Sequence, residues 1–247
     1  MSEIIYGIHP IKSLLKCEPQ RFLEVFLMKN CKDHKLICLI ELLKKTGIII
    51  QIVKHRHFLN KKTNSKVHQG IMAIVRKKRQ YQEKDLLKLL EDLEQPPFLL
   101  ILDGITDPHN LGACLRSADA AGVNIVIIPR DRSAQLNATV MKVSCGAAAY
   151  VPLISVTNLV RTIRVLQKQN IWIIGTEAKA NSNLYQSSIT SNMALAFVMG
   201  SEHCGMRHLT RKSCDELISI PMLGKNSSLN VSVATGICLF EVVRKRV

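Results

Sequence analysis

Hydrophobic positions along this chain follow two rhythms. From residue 98 onward, short runs that are apolar almost throughout alternate with segments whose apolar residues return every three or four positions. Short continuous apolar runs predict strands buried on both faces, and the longer period predicts helices laid over them. The spacing predicts strands at Phe98–Leu102, Asn124–Ile128, Val151–Ile154, Ile171–Gly175, Met193–Met199 and Leu217–Ile220. Helices are predicted at Asn110–Ala121, Asn137–Ala149, Asn158–Gln169 and Gly205–Cys214. A last helix begins near Asn230, because Val231, Ala234, Ile237, Cys238 and Glu241 fall at helical spacing after a loop at 224–229. Strand and helix in alternation predict an α/β fold with a parallel sheet.

The first 76 residues repeat the alternation on a smaller scale. His9–Cys17 reads as a helix, Phe22–Met28 as a strand, Lys35–Lys45 as a helix closed by Gly47, and Ile48–Val53 as a strand. His55–Asn60 reads as a short helix, 61–66 as a polar loop and His68–Val75 as a last strand. Such a unit is large enough to fold alone. Tyr81–Gln95 reads as an amphipathic helix with Leu86, Leu89, Leu90 and Leu93 on one face, stopped by Pro96-Pro97. The expected organisation is a domain at 1–76, a linker at 77–84 and a second domain at 85–247. Open parallel sheets bind ligands at the C-terminal ends of their strands. That rule selects the loops 103–112, 175–183, 200–205 and 221–230.

Charge changes the picture for the first domain. The chain of 247 residues is 47% hydrophobic, as a globular protein is, and carries a formal charge of +15. Residues 1–80 hold 17 Lys and Arg against 5 Asp and Glu, whereas residues 81–247 hold 17 against 14. A basic first third joined to a nearly balanced remainder points to a polyanion-binding module, with nucleic acid as partner. The eight cysteines include no CxxC pair, and several sit in apolar helical runs as small hydrophobes. No apolar stretch approaches 18 residues and no leader precedes the chain, so a reduced, cytoplasmic protein with no membrane partner is expected.

The selected loops carry the candidate chemistry. In Asp103–Arg116, Asp107 before Pro108 suits a helix cap, while Arg116 lies among Cys114, Leu115, Ala118 and Ala120, where an arginine wants a specific partner. Asp103, Asp107 and His109 lack any fixed ligand spacing, so no metal is expected there. Gly200 and Gly205 bracket Ser201-Glu202-His203-Cys204 and let backbone approach a ligand closely. The loop is neither a P-loop nor a GxGxxG turn, which argues against a nucleotide-dependent α/β enzyme. His203 and Cys204, adjacent with no orienting acid, do not make a nucleophilic pair. Asn226–Phe240 opens on Asn and Ser residues that cap helices well and leave backbone N–H groups free for a ligand.

Three of these stretches together resemble a known family. Asn110-Leu-Gly-Ala-Cys-Leu-Arg116, Met199-Gly-Ser-Glu followed by Gly205, and Ser227-Ser-Leu-Asn-Val-Ser-Val-Ala234 are similar, in order and spacing, to the three motifs of the SpoU-type RNA ribose 2′-O-methyltransferases (SPOUT superfamily). Tyr6–Pro10, Val67–Ile71 and Thr106–Gly112 look like the branch that acts on guanosine in 23S rRNA, in the peptidyl-transferase P-loop region. The resemblance implies an N-terminal L30e-like RNA-binding domain and a parallel-sheet SPOUT domain closed by a trefoil knot. It implies a homodimer with S-adenosylmethionine as methyl donor. By motif position, Asn110, Arg116, Glu202 and Asn230 would be catalytic. Gly200, Ile220 and Leu229, with Thr176, Leu223 and Ser228, would cradle the donor. A guanidinium is a poor base. Arg116 is therefore expected to anchor phosphate and developing alkoxide, with phosphate or water removing the proton, and Glu202 to orient Asn110, Arg116 or the ribose or else to serve as the base. Two other readings are a 2′-O-methyltransferase of tRNA or another rRNA site, and a non-enzymatic rRNA-binding assembly protein.

Overall fold

Seven elements build the N-terminal unit, in the order β1 (Ser2–Tyr6), α1 (Ile8–Cys17), β2 (Phe22–Met28), α2 (His34–Lys45), β3 (Ile50–Val53), α3 (Arg56–Thr63) and β4 (Ile71–Arg76). A computed structural model of the chain describes residues 2–29, 33–76, 81–202, 204–225 and 228–247. Residues 77–80 of the expected linker lie outside them. The four strands form one sheet in the order β1-β4-β2-β3, with β2 and β3 parallel and the other pairs antiparallel. Tyr6, Phe26, Leu59 and Met72 pack together against it. At the far end of the strands Arg21 is buried, because its guanidinium reaches Glu3 and Glu18, each at 2.6 Å, and the Arg76 carbonyl at 2.9 Å. The loop expected at 61–66 is shorter than its polarity suggests. Thr63 turns inward to donate to the Leu59 carbonyl, extending α3 to the left-handed Asn64.

The remaining elements are β5 (Tyr81–Gln82), α4 (Leu86–Glu91), β6 (Phe98–Asp103), α5 (Pro108–Ala120), β7 (Ile125–Pro129), α6 (Ala138–Val143), α7 (Ala147–Tyr150), β8 (Leu153–Val156) and α8 (Leu159–Lys168). They continue through β9 (Trp172–Thr176), β10 (Ser182–Asn183), β11 (Leu195–Gly200), α9 (His208–Lys212), β12 (Glu216–Ser219) and α10 (Val231–Arg246). Eight strands form a wholly parallel sheet in the order β10-β12-β9-β11-β6-β7-β8-β5. The fold is α/β, as the alternation predicts. The central strands β6 and β7 are buried along their whole length, which explains their continuous apolar sequence. Among the described residues, no helix is long and apolar enough to cross a membrane.

Three predicted helices differ from what forms. Tyr81–Gln95 begins as a short strand paired with β8, and a turn in which Gln82 N–H donates to Asp85 leaves only six residues to α4. The helix predicted at Asn137–Ala149 breaks at Cys145 and Gly146, both with positive φ. A Cβ at Gly146 would lie 2.4 Å from the Ser13 side chain, so packing against α1 sets the break. Accordingly, the structure groups Leu136–Tyr150 with Met1–Arg79 as one compact unit, and Gln80–Gln135 with Val151–Val247 as the other. Finally, α9 starts at His208 rather than Gly205, because the preceding residues are held in a tight turn.

Candidate active site

That turn is built on Gly200, the last residue of β11, which lies beside Asp103 at the end of β6. The chain doubles back at once. Ser201 and Gly205 exchange two backbone hydrogen bonds, at 3.0 and 2.9 Å, and Gly205 has φ +66°. A Cβ on Gly200 would sit 2.2 Å from the Gly205 carbonyl carbon and the Met206 nitrogen, so only glycine fits. The far side of the turn is tied down by Asp103. Its buried carboxylate accepts from the Arg207 N–H at 2.8 Å, with the Arg207 guanidinium 3.4 Å away. Asp107 caps α5 by accepting from the His109 N–H at 2.9 Å. Neither aspartate joins a metal-binding group, and no cluster of three or more His, Cys, Asp or Glu gathers among the described residues.

Glu202, at the tip of the turn, faces the N-terminus of α10. Its Oε1 accepts from the Asn230 side-chain amide and, at 3.4 Å, from the Val231 N–H. The same Asn230 amide nitrogen donates to Asn110 Oδ1 at 3.1 Å. The opposite end of Asn230 is the helix cap, its Oδ1 accepting from the Ser232 N–H at 2.9 Å and the Ser232 hydroxyl at 2.6 Å. One side chain therefore caps a helix and links a turn 28 residues away to the first turn of α5, 120 residues away. The partial positive charge of the α10 N-terminus favours the Glu202 carboxylate.

Arg116 is not part of this cluster. It stands six residues beyond Asn110 on α5, which an α-helix converts to about 9 Å along the axis and about 120° around it. Asn110 and Cys114 share the stripe that meets α10, where the Cys114 thiol lies 3.5 Å from the Thr235 hydroxyl. Arg116 points elsewhere and is exposed. Burial pushes the Cys114 thiol up to about 11 and that of Cys238 up to about 12. These thiols are inert packing groups. His203 lies outside the described residues, as do Asn226 and Ser227.

Beside the cluster opens a cavity of about 620 Å³. Five of the six residues expected to hold a methyl donor line it: Gly200, Ile220, Leu229, Thr176 and Ser228. Leu223, the sixth, is fully exposed and does not. Met222 lines the cavity in its stead, a half-turn of register that an irregular loop hides from periodicity. Glu202 also borders the cavity, so the polar cluster adjoins it through that side chain. Sequence reasoning missed the Glu177–Arg211 ion pair at 2.8 Å on the wall, which joins residues 34 apart with no motif between them. The volume lies within the range of small-molecule sites, and the wall combines apolar side chains with a glycine-lined backbone.

The chain is similar to proteins of one kind. The model of the SpoU rRNA Methylase family matches residues 97–240, and that of RNA 2′-O ribose methyltransferase substrate binding matches residues 4–81. Over 246 residues the chain is 63% identical to the 23S rRNA (guanosine-2′-O-)-methyltransferase RlmB of Escherichia coli K12, covering 100% of both chains. It is 64% identical to the Yersinia pestis protein of the same name, covering 100% of this chain and 98% of the other. The fold is like that of the SpoU methyltransferase AviRb from Streptomyces viridochromogenes in complex with AdoMet. The TM-score there is 0.80 at 20% identity, over 99% of this chain and 90% of that one.

Proposed function

Because the chain belongs to the SpoU rRNA methylase family, we propose that it is an S-adenosylmethionine-dependent enzyme methylating a guanosine ribose 2′-oxygen in 23S rRNA. The observation that supports it best is the hydrogen-bonded trio Asn110, Asn230 and Glu202, joined through Glu202 to a cavity of donor size. When bound, S-adenosylmethionine supplies an electrophilic methyl group on a cationic sulfur. Gly200, Ile220 and Leu229 would hold it, with Met222 taking the place first expected of Leu223.

The chain's own work is alignment and charge. A 2′-hydroxyl is a weak nucleophile, and fixing it in line with the methyl group removes much of the entropic barrier. Asn110 and Asn230 offer amide groups that fix the sugar, held in register by Glu202. Transfer would form the methyl–oxygen bond as the methyl–sulfur bond breaks to leave a neutral thioether, and the hydroxyl proton would pass to a phosphate oxygen, water or Glu202. Arg116 neutralises the phosphate and the developing alkoxide, because a guanidinium offers donors and no acceptor.

Arg116 faces away from Asn110, which leads to the second part of the proposal. The enzyme works as a homodimer in which Arg116 of one protomer serves the site of its partner. In support, Val233 and Phe240 lie seven apart on α10 and are about half exposed, at 50% and 48%, an apolar stripe suited to a second copy. The knotted path that the family resemblance implies for the segment before α10 belongs to the same reading, as does action in the cytoplasm, where rRNA is found.

Mixing Arg116→Ala with Asn230→Ala chains tests the arrangement. Mixed dimers regain activity if sites are shared, and stay inactive if each protomer is self-sufficient.

A further inference from the structure

We propose that the exposed face of α3, with Lys54 before it and Lys66 after it, is where the N-terminal unit grips RNA, through phosphates and one stacked base. The inference rests on the methyltransferase reading and names a contact within it. From Leu42 to Gln82 the chain holds eleven Lys and Arg and no Asp or Glu. The fold gathers part of this run at one end of the sheet. Tyr6, at the end of β1, pairs with Met72 at the start of β4, and β2 and β3 finish together at Met28 and Val53. Leu59 of α3 packs onto Tyr6 and Met72 at that end, and Lys54 follows β3 directly. Two carboxylates, Glu3 and Glu18, lie towards the opposite end, already bound by Arg21.

The face is displayed by a fixed scaffold. Buried His68 accepts from the Gly70 N–H at 3.0 Å and donates to Asn60 Oδ1 at 2.9 Å, locking α3 to the following loop. Arg56 adds a bond to the Lys66 carbonyl at 3.1 Å. On α3, Leu59 and Thr63 point inward, so Phe58, Lys61 and Lys62 point out. No ion pair joins Lys54, Lys61, Lys62 or Lys66 to a carboxylate among the described residues. Phe58 shares the exposed face of α3 with Lys61 and Lys62, one side against Phe26 at 5.6 Å between ring centres and 37% of it exposed. A partly exposed aromatic ring on the same helix face as lysines that make no ion pair among the described residues suits an unpaired base and its flanking phosphates, whereas a protein partner of like size would need carboxylates to match.

The test uses the full chain and a 23S rRNA fragment, comparing wild type with the triple variant Lys61→Gln/Lys62→Gln/Lys66→Gln and with Phe58→Leu. At roughly 0.7 in log–log salt slope per phosphate, the triple variant should lose about 2 from its slope and about tenfold or more in affinity. Phe58→Leu keeps the packing on Phe26 and should lose about fivefold to tenfold with the slope unchanged. Donor affinity and kcat at saturating RNA should stay at wild-type values. A folded triple variant with wild-type affinity and slope overturns the proposal. If wild type binds the fragment through this face yet transfers no methyl group, the enzymatic reading falls and the face stands.

Discussion

The two units use the same strand–helix alternation for opposite ends. In the larger sheet β6 and β7 are buried throughout, and the cavity lies beyond the C-terminal ends of β9, β11 and β12. In the smaller sheet the edge strand β3 leaves Ile52 70% exposed, and residues 1–80 of the sequence hold 17 Lys and Arg against 5 Asp and Glu. One unit is a closed core that spends its precision on a few polar atoms. The other is an open surface that spends charge on a long partner. The difference teaches that substitutions in the first should change the rate of transfer, and substitutions in the second the hold on RNA.

The strongest break should come at Asn230. Asn230→Ala removes the shared hydrogen bonds to Glu202 and Asn110 and one helix cap, so kcat should fall on the order of hundredfold or more. Stability should drop by only about 1 kcal/mol. RNA affinity, measured by filter binding, should not move. Next comes Gly200→Ala. Its Cβ has no room against Gly205 and Met206, so the turn must shift, and donor affinity by calorimetry should weaken on the order of tenfold to hundredfold. Again RNA affinity should hold.

A smaller effect, confined to the other unit, is expected from pH. Burial and then the Arg56 charge lower the pKa of His68 below its ordinary 6.5. The unfolded chain therefore binds the extra proton first, and the stability that neutral His68 contributes is full above about 6.5 and lost as pH falls below it. Thermal melts from pH 7.5 to 5.5 should show a steeper loss for wild type than for His68→Gln, with RNA affinity declining in parallel. The smallest effect belongs to Leu223→Ala. This side chain is fully exposed and off the cavity wall, so donor affinity and stability should change by less than about 0.5 kcal/mol. Met222→Ala is the contrasting variant and should weaken donor binding.

What could be read in advance follows the same division. Phe22–Met28 and the buried strands declared themselves because burial leaves a direct mark on period, and the loops followed from the rule for parallel sheets. Strand β1 did not, since Ser2 and Glu3 obscure its pattern and only pairing with β4 makes it a strand. The break at Cys145 and Gly146 depends on Ser13, 132 residues from Cys145, so no local signal carries it. At the site, Asn230 was legible as a helix cap. Its bonds to Glu202 and Asn110 were not, because they depend on a turn and the starts of two helices meeting in space. That Met222 and not Leu223 lines the cavity was hidden as well, because neighbours in an irregular loop have no period to tell them apart.

Methyl transfer with the product nucleotide mapped tests the account most directly. Purified wild-type chain, labelled S-adenosylmethionine and 23S rRNA fragments should yield methyl label on one guanosine, resistant to alkaline cleavage at its 3′ side because the 2′-oxygen is blocked. Asn230→Ala should bind the same fragment and yield almost none. Label on a base, label on tRNA in preference to 23S rRNA, or full activity in Asn230→Ala would contradict it.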